Sequence, residues 1–140
     1  MKVQVAELLP EIVAWNREYL SGLNGALLDD SRVEVLVDDV WNLLARAGPA
    51  RYDAILLDVD NGPSAMVQPQ NKRIYGREGI QKLVAALKPG GRAAIWSAAP
   101  DRLFAARLSQ AGLKVAMVPA KLYPNAKTFA CTLYMADKAA

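Results

Sequence analysis

Three acidic residues stand where apolar runs stop. Glu7 follows Val3-Gln4-Val5-Ala6, Asp39 closes Val33 to Asp38, and Asp58 closes Ala54-Ile55-Leu56-Leu57. In open parallel α/β sheets, ligands sit just beyond the carboxyl ends of the strands. A carboxylate after an early strand can accept both hydroxyl protons of a ribose. One after the next strand is placed to meet the exocyclic amine of a purine. One after the central strand lies nearest the reacting group, and Asp58 is the first candidate for that place. Asp60, Asn61, Gly62 and Pro63 follow it directly. Each acid also has a plainer reading. Asp38 or Asp39 serves as a helix cap, Asp60, Asn61 and Gly62 are ordinary turn residues, and Glu7 is a solvated strand end. Their shared position at strand ends is what singles them out.

The composition removes other chemistries. The chain has 140 residues and no histidine, so no Ser/His or Cys/His pair can form, and no metal site is expected. Cys131 is the one cysteine; it lies in an apolar run and reads as a buried hydrophobe, and no internal disulfide is available. The net charge is +3, with Lys72-Arg73 the one basic pair in a loop. The clustered basic face of a nucleic-acid binder is missing. No apolar run is long enough to span a membrane, and the first residues lack the apolar core of a secretory signal. A cytoplasmic protein is expected, with a hydrophobic fraction of 53% ample for a core.

The elements that must position the acids follow from periodicity. Met1 to Ala6 reads as a strand. Pro10 fits the first turn of a helix, with Ile12, Trp15, Asn16, Tyr19 and Leu23 on one face. Gly22 to Ser31 is loop-like, with Leu27-Leu28 folding back on the body. Val33 to Val37 is a strand, and Val40, Leu43, Leu44 and Ala47 form a helical stripe ended by Gly48-Pro49. Ala54 to Leu57 shows no alternation, as in a strand buried on both faces. Asn61 to Ile74 is a long loop of the kind that serves as a lid. Ile80, Leu83, Val84 and Leu87 mark a helix ending at Pro89-Gly90-Gly91. Ala93 to Trp96 is a strand with Ser97 as its polar terminus. Leu103, Phe104, Arg107, Leu108 and Ala111 fit a helix closed by Gly112. Leu113 to Val118 and Thr128 to Met135 are strands with no helix between them, hence antiparallel. Trp15, Trp41 and Trp96 read as packing residues. The alternation predicts one α/β domain over 1–140, with a mostly parallel Rossmann-like sheet, helices on both faces and a C-terminal antiparallel strand.

Val5-Ala6-Glu7-Leu8-Leu9-Pro10-Glu11-Ile12-Val13, Arg32 to Val35 through Asp39, Tyr52 to Asp58, and Leu87-Lys88-Pro89-Gly90-Gly91 together resemble the spermidine synthase family, within the class I methyltransferase fold. Asp58 to Gly62-Pro63, followed by Ile74-Tyr75-Gly76-Arg77-Glu78, points to its aminopropyltransferase branch. The resemblance implies transfer of an aminopropyl group from decarboxylated S-adenosylmethionine to a small amine acceptor. It implies that Glu7 binds the ribose hydroxyls of the adenosyl ligand. Asp39 and the backbone of Val40 would hold the adenine edge. Asp58 would orient and deprotonate the attacking amine, with Asp60 and Asn61 toward the acceptor and the Gly62–Ile74 loop as lid. Neither a metal nor nucleic acid nor a membrane is implied.

Two departures shape the expectations. Asn61 stands where the family has a second aspartate, and Asp60 is the adjacent acid. The resemblance begins at the family's second strand, so the fold expected is a class I methyltransferase fold lacking its first strand and glycine-rich loop. A sheet lacking a central strand has unpaired edges, which either close on each other or recruit another chain. A homodimer with impaired transfer is expected. Methyl transfer from S-adenosylmethionine itself, and a non-catalytic dimeric module that retains the fold, are the alternatives.

Overall fold

The computed structural model describes residues 1–25, 27–59, 61–63 and 69–140. The chain divides into two units, Met1–Arg46 and Ala47–Ala140.

In the first unit, β1 (Val3–Glu7) pairs in parallel with β2 (Val33–Val37), from Val3 opposite Val33 to Glu7 opposite Val37. Alternating valines favour the extended chain at both strands. Between them run α1 (Pro10–Glu18), α2 (Ser21–Asn24) and a 3₁₀ turn at Leu27–Asp29; α3 (Val40–Arg46) follows β2. Pro10 opens α1, where its missing N–H costs nothing. The expected face of α1 is corrected in part. Val13 is the buried residue, while Trp15 is 51% exposed and Tyr19 and Leu23 are open to solvent. For Leu23 the reason is that the helix ends early: the Tyr19 and Leu20 N–H groups both close on the Trp15 carbonyl. Leu23 therefore falls in the separate turn α2, off the α1 stripe. Of the Leu27-Leu28 pair, Leu27 is likewise exposed and Leu28 is half-buried.

In the second unit the strand order is β3-β4-β6-β5, with β3 (Tyr52–Leu57), β4 (Leu87–Ser97), β5 (Leu113–Ala120) and β6 (Cys131–Lys138). β3 and β4 are parallel; β6 is antiparallel to both β4 and β5, as its short connection to β5 requires. The helices are α4 (Lys72–Tyr75), α5 (Arg77–Ala86) and α6 (Arg102–Gln110). The Lys88–Gly91 turn lies within β4 as an irregularity: Tyr52 faces Leu87 but Ala54 already faces Arg92. The expected loop at Asn61 to Ile74 holds a 3₁₀ turn at Pro69–Asn71 and the start of α4, so Lys72-Arg73 is helical.

The core of this unit lies on one face of its sheet. Ala93, Ile95 and Ser97 on β4 are buried, and they stand opposite Ala136, Tyr134 and Thr132 on β6, also buried. Leu57, Ile80, Leu83, Phe104 and Leu108 complete it. Lys138 spans from β6 to the carbonyls of Val84 and Leu87, each 2.7 Å from its Nζ, a cation at the C-terminal end of α5. Cys131 is buried as expected, its Sγ 3.3 Å from the Ala120 carbonyl.

The reading of β3 as buried on both faces is overturned. Leu57 is buried beside Ile95, but Leu56 is 81% exposed and Ala54 is also open. Side chains alternate along a strand. Leu57 joins the face on which α6 packs through Phe104, and Leu56 points to the opposite one. Trp41 and Trp96 are half-buried, consistent with packing residues.

Candidate functional site

Glu7 and Asp39 come together at one rim of the first unit. β1 and β2 are parallel and in register, so both run out at the same end, and the Asp38 N–H binds the Glu7 carbonyl at 3.0 Å. The Glu7 carboxylate is half-buried, and its Oε1 accepts the Leu9 N–H at 2.9 Å, closing the turn into α1. Asp39 is the N-cap of α3: its Oδ1 accepts the Trp41 N–H at 2.8 Å, and its carbonyl accepts the Leu43 N–H at 3.2 Å. The capping reading of Asp39 is thus correct for one of its oxygens. Val40 is the first residue of α3, so its backbone lies at the positive end of a helix on this rim.

Asp38 is structural. Its Oδ1 accepts the side-chain amide of Asn42 at 3.0 Å, and its Oδ2 pairs with the Arg46 guanidinium. The Asn42 hydrogen bond, then that of Arg46, hold its carboxyl below the usual carboxylate range.

Asp58 lies in the second unit, one residue beyond the end of β3, and is exposed. The segment after it is tied down at several points. The hydroxyl of Tyr75 donates to the Val59 carbonyl. The Ala98 N–H, just past the end of β4, donates to the Asn61 carbonyl at 3.0 Å. Gly62 has φ +86° and lies so close to Ser97 that an added Cβ would meet its Oγ at 2.5 Å. Ser97 itself is fully buried, its hydroxyl donating to the Ala99 carbonyl at 2.7 Å. The parallel ends of β3 and β4 are therefore tied together at Val59, Asn61 and Gly62, with Asn61 half-buried and Pro63 buried beside them. Asp60 and residues 64–68 of the expected lid lie outside the described residues.

Sequence reasoning placed Asp58 at the end of its strand but missed what holds the turn after it. Ser97 was visible only as a polar residue ending an apolar run, and Tyr75 only as part of a family motif. Neither signal tells that the two side chains support the turn after Asp58. Among the described residues, no group of three His, Cys, Asp or Glu side chains is arranged to hold a metal ion, and no helix is long and apolar enough to cross a membrane.

An exposed carboxylate at the end of a parallel strand, on a turn fixed by hydrogen bonds, can hold an ammonium group and accept a proton from an amine. The half-buried carboxylate of Glu7 can accept hydroxyl protons.

No family model matches the chain. The polyamine aminopropyltransferase of Corynebacterium efficiens is 32% identical over 102 residues, which is 69% of this chain and 18% of that protein. A spermidine synthase solved in complex with the transition state analogue AdoDATO superposes with a TM-score of 0.76 and 21% identity, covering 99% of this chain and 47% of that one. Human methyltransferase-like protein 13 in complex with SAH superposes with a TM-score of 0.70 and 17% identity, covering 98% of this chain and 61% of that one. The chain therefore spans about a fifth of that curated relative and 47% and 61% of those solved chains. The fold is the α/β, Rossmann-like fold of spermidine synthases and class I methyltransferases.

Proposed function

We propose that this chain, which belongs to the polyamine aminopropyltransferase family, is the core of a transferase that moves an aminopropyl group from decarboxylated S-adenosylmethionine to a small amine. The observation that supports this reading most is the placing of Asp58: exposed, one residue past a parallel strand, on a turn anchored at Val59 and Asn61. In the proposed reaction the lone pair of the acceptor nitrogen attacks the propyl carbon bonded to the sulfonium. The carbon–sulfur bond breaks, its electron pair stays on sulfur, and 5′-methylthioadenosine leaves. The proton lost by the nitrogen passes to the Asp58 carboxylate. The sulfonium is a good leaving group, so orienting the amine in line is the main task left to the protein.

The remaining roles are assigned on the same footing. Glu7 takes the ribose hydroxyls, and Asp39 with the backbone of Val40 takes the adenine edge. Asp60 and Asn61 are assigned to binding the acceptor, and the Gly62–Ile74 segment to the lid. The proposal treats 1–140 as one cytoplasmic domain that forms a homodimer. β3 is an end strand in the hydrogen-bonded order of its sheet, and Leu56 on it is exposed. The mass in solution, by sedimentation, checks the dimer; a monomer at high concentration would remove it.

Methyl transfer from S-adenosylmethionine is the second reading, favoured by the superposition on a methyltransferase over nearly the whole chain. The experiment is to offer the chain each donor with a diamine and weigh the product, since the two added groups differ in mass. Release of 5′-methylthioadenosine that falls at least about a hundredfold in Asp58→Asn supports the aminopropyl reading. A folded chain that releases neither thioether product sinks both.

A further inference from the structure

We propose that Tyr75 is a positioning residue that fixes the backbone carrying Asp58, an inference that rests on the reading of Asp58 as the reacting carboxylate. β3 ends at Leu57, so Val59 lies past the last strand pairing that would hold its carbonyl. The Tyr75 hydroxyl donates to that carbonyl from across the unit. Tyr75 is 2% exposed, so its ring has no freedom to swing away into water. It meets the ring of Phe104 edge-on, centroids 5.7 Å apart at 81°. Phe104 in turn meets Tyr134 edge-on, 5.0 Å apart at 88°. The ladder ends at α6: the Tyr134 hydroxyl accepts the Asp101 N–H at 2.5 Å, and Asp101 caps the helix by accepting the Phe104 N–H at 2.9 Å. Three interlocked rings thus run from the N-terminus of α6 to the turn beside Asp58. Edge-to-face pairs of this kind favour one relative orientation.

This ladder explains a feature that packing alone does not need. A buried ring at position 75 fills the same space with or without a hydroxyl, but only tyrosine reaches the Val59 carbonyl. The anchor acts on one side of Asp60, and the Ala98–Asn61 hydrogen bond with the close approach of Gly62 to Ser97 acts on the other. The backbone carrying Asp58 is held before it by the pairing of Leu57 with Ile95 and after it by the anchor at Val59. A carboxylate that must meet an amine in line with a breaking carbon–sulfur bond gains from such fixing, because small misplacements cost rate steeply.

The test is Tyr75→Phe, which keeps the ring ladder and deletes the hydroxyl. Amide hydrogen exchange of the whole chain is followed, with transfer kinetics alongside. Exchange at Asp58, Val59, Asn61 and Gly62 should quicken about five- to tenfold, as loss of one hydrogen bond allows, while amides of α6 stay protected. In transfer, kcat should fall about tenfold with KM for the adenosyl donor unchanged. Unchanged exchange at 58–62 overturns the inference. So does quickening spread equally over α4 to α6, because that marks the hydroxyl as a general stabiliser. An active wild type whose kcat is untouched by Tyr75→Phe also overturns it. A wild type with no transfer at all refutes the proposed function, and local exchange then still decides whether Tyr75 holds the turn.

Discussion

Gly62→Ala should unsettle the turn after Asp58. Gly62 sits at φ +86°, a conformation that a residue with a Cβ adopts at a cost of about 1–2 kcal/mol. The new Cβ would also lie 2.5 Å from Ser97 Oγ and 2.7 Å from both the α- and β-carbons of Ser97, far closer than van der Waals radii allow. Ser97 is fully buried at the end of β4 and paired across the sheet with Thr132, so it has little room to withdraw. Overpacking of this kind costs about 1–3 kcal/mol. The two terms together give about 2–5 kcal/mol, or a fall of about 8–20 °C in Tm for a domain of this size. Thermal melting followed by circular dichroism reads the sum. Ser97→Gly added to Gly62→Ala separates the terms: it removes the overlaps with the serine side chain but leaves the overlap with the backbone at position 97 and the positive φ. Recovery should therefore be partial. The reasoning is refuted if Gly62→Ala melts within about 2 °C of the wild type and the Ala98 amide, which binds the Asn61 carbonyl, exchanges no faster.

The carboxylate at the end of β1 and the surface ion pairs give further tests. Glu7→Gln should weaken 5′-methylthioadenosine binding about ten- to a hundredfold by calorimetry, the worth of a charged hydrogen bond; equal binding would remove Glu7 from the ligand. Asp53 and Asp137 have their carboxyls held low, first by hydrogen bonds from Lys88 and Arg92 respectively. A carboxyl lowered in the folded chain adds stability above its unfolded pKa, and that stability is lost as pH falls through the folded value. Tm should therefore drop below about pH 4, and Asp137→Asn, which removes the pair to Arg92 across β4 and β6, should flatten that drop; an unaltered acid limb would show that the pair contributes nothing.

What was legible in the sequence depended on how local its cause is. The parallel pairs β1–β2 and β3–β4 and the antiparallel β5–β6 follow from connection lengths, which a sequence displays directly. The position of Asp58 one residue past β3 follows from where an apolar run meets a charge. Burial of the second face of β3 did not follow. Ala54 to Leu57 reads as a run buried on both faces, yet Leu56 is exposed, because hydrophobicity alone does not say how many layers cover a sheet. Nor did the start of α4 at Lys72 show within the Asn61–Ile74 segment, since four helical residues are too few to show a period.

The acids at strand ends show why capping and ligand binding are not competing explanations. Glu7 uses Oε1 to accept the Leu9 N–H, and among the described residues Oε2 has no partner. A carboxylate offers about four lone-pair sites, so one bond to the backbone uses a fraction of its capacity. That bond does more than occupy it. An unrestrained glutamate must lose side-chain freedom, about 1–2 kcal/mol, when it grips a ligand. One already held by the turn into α1 has given up much of that freedom on folding. The same holds for Asp39, whose bond to the Trp41 N–H sets its rotamer before anything arrives. The bland reading of each acid therefore supplies the rigidity that the sharp one needs. A Glu7 variant that keeps the turn but loses the charge, as Glu7→Gln does, tests the ligand without disturbing the preparation.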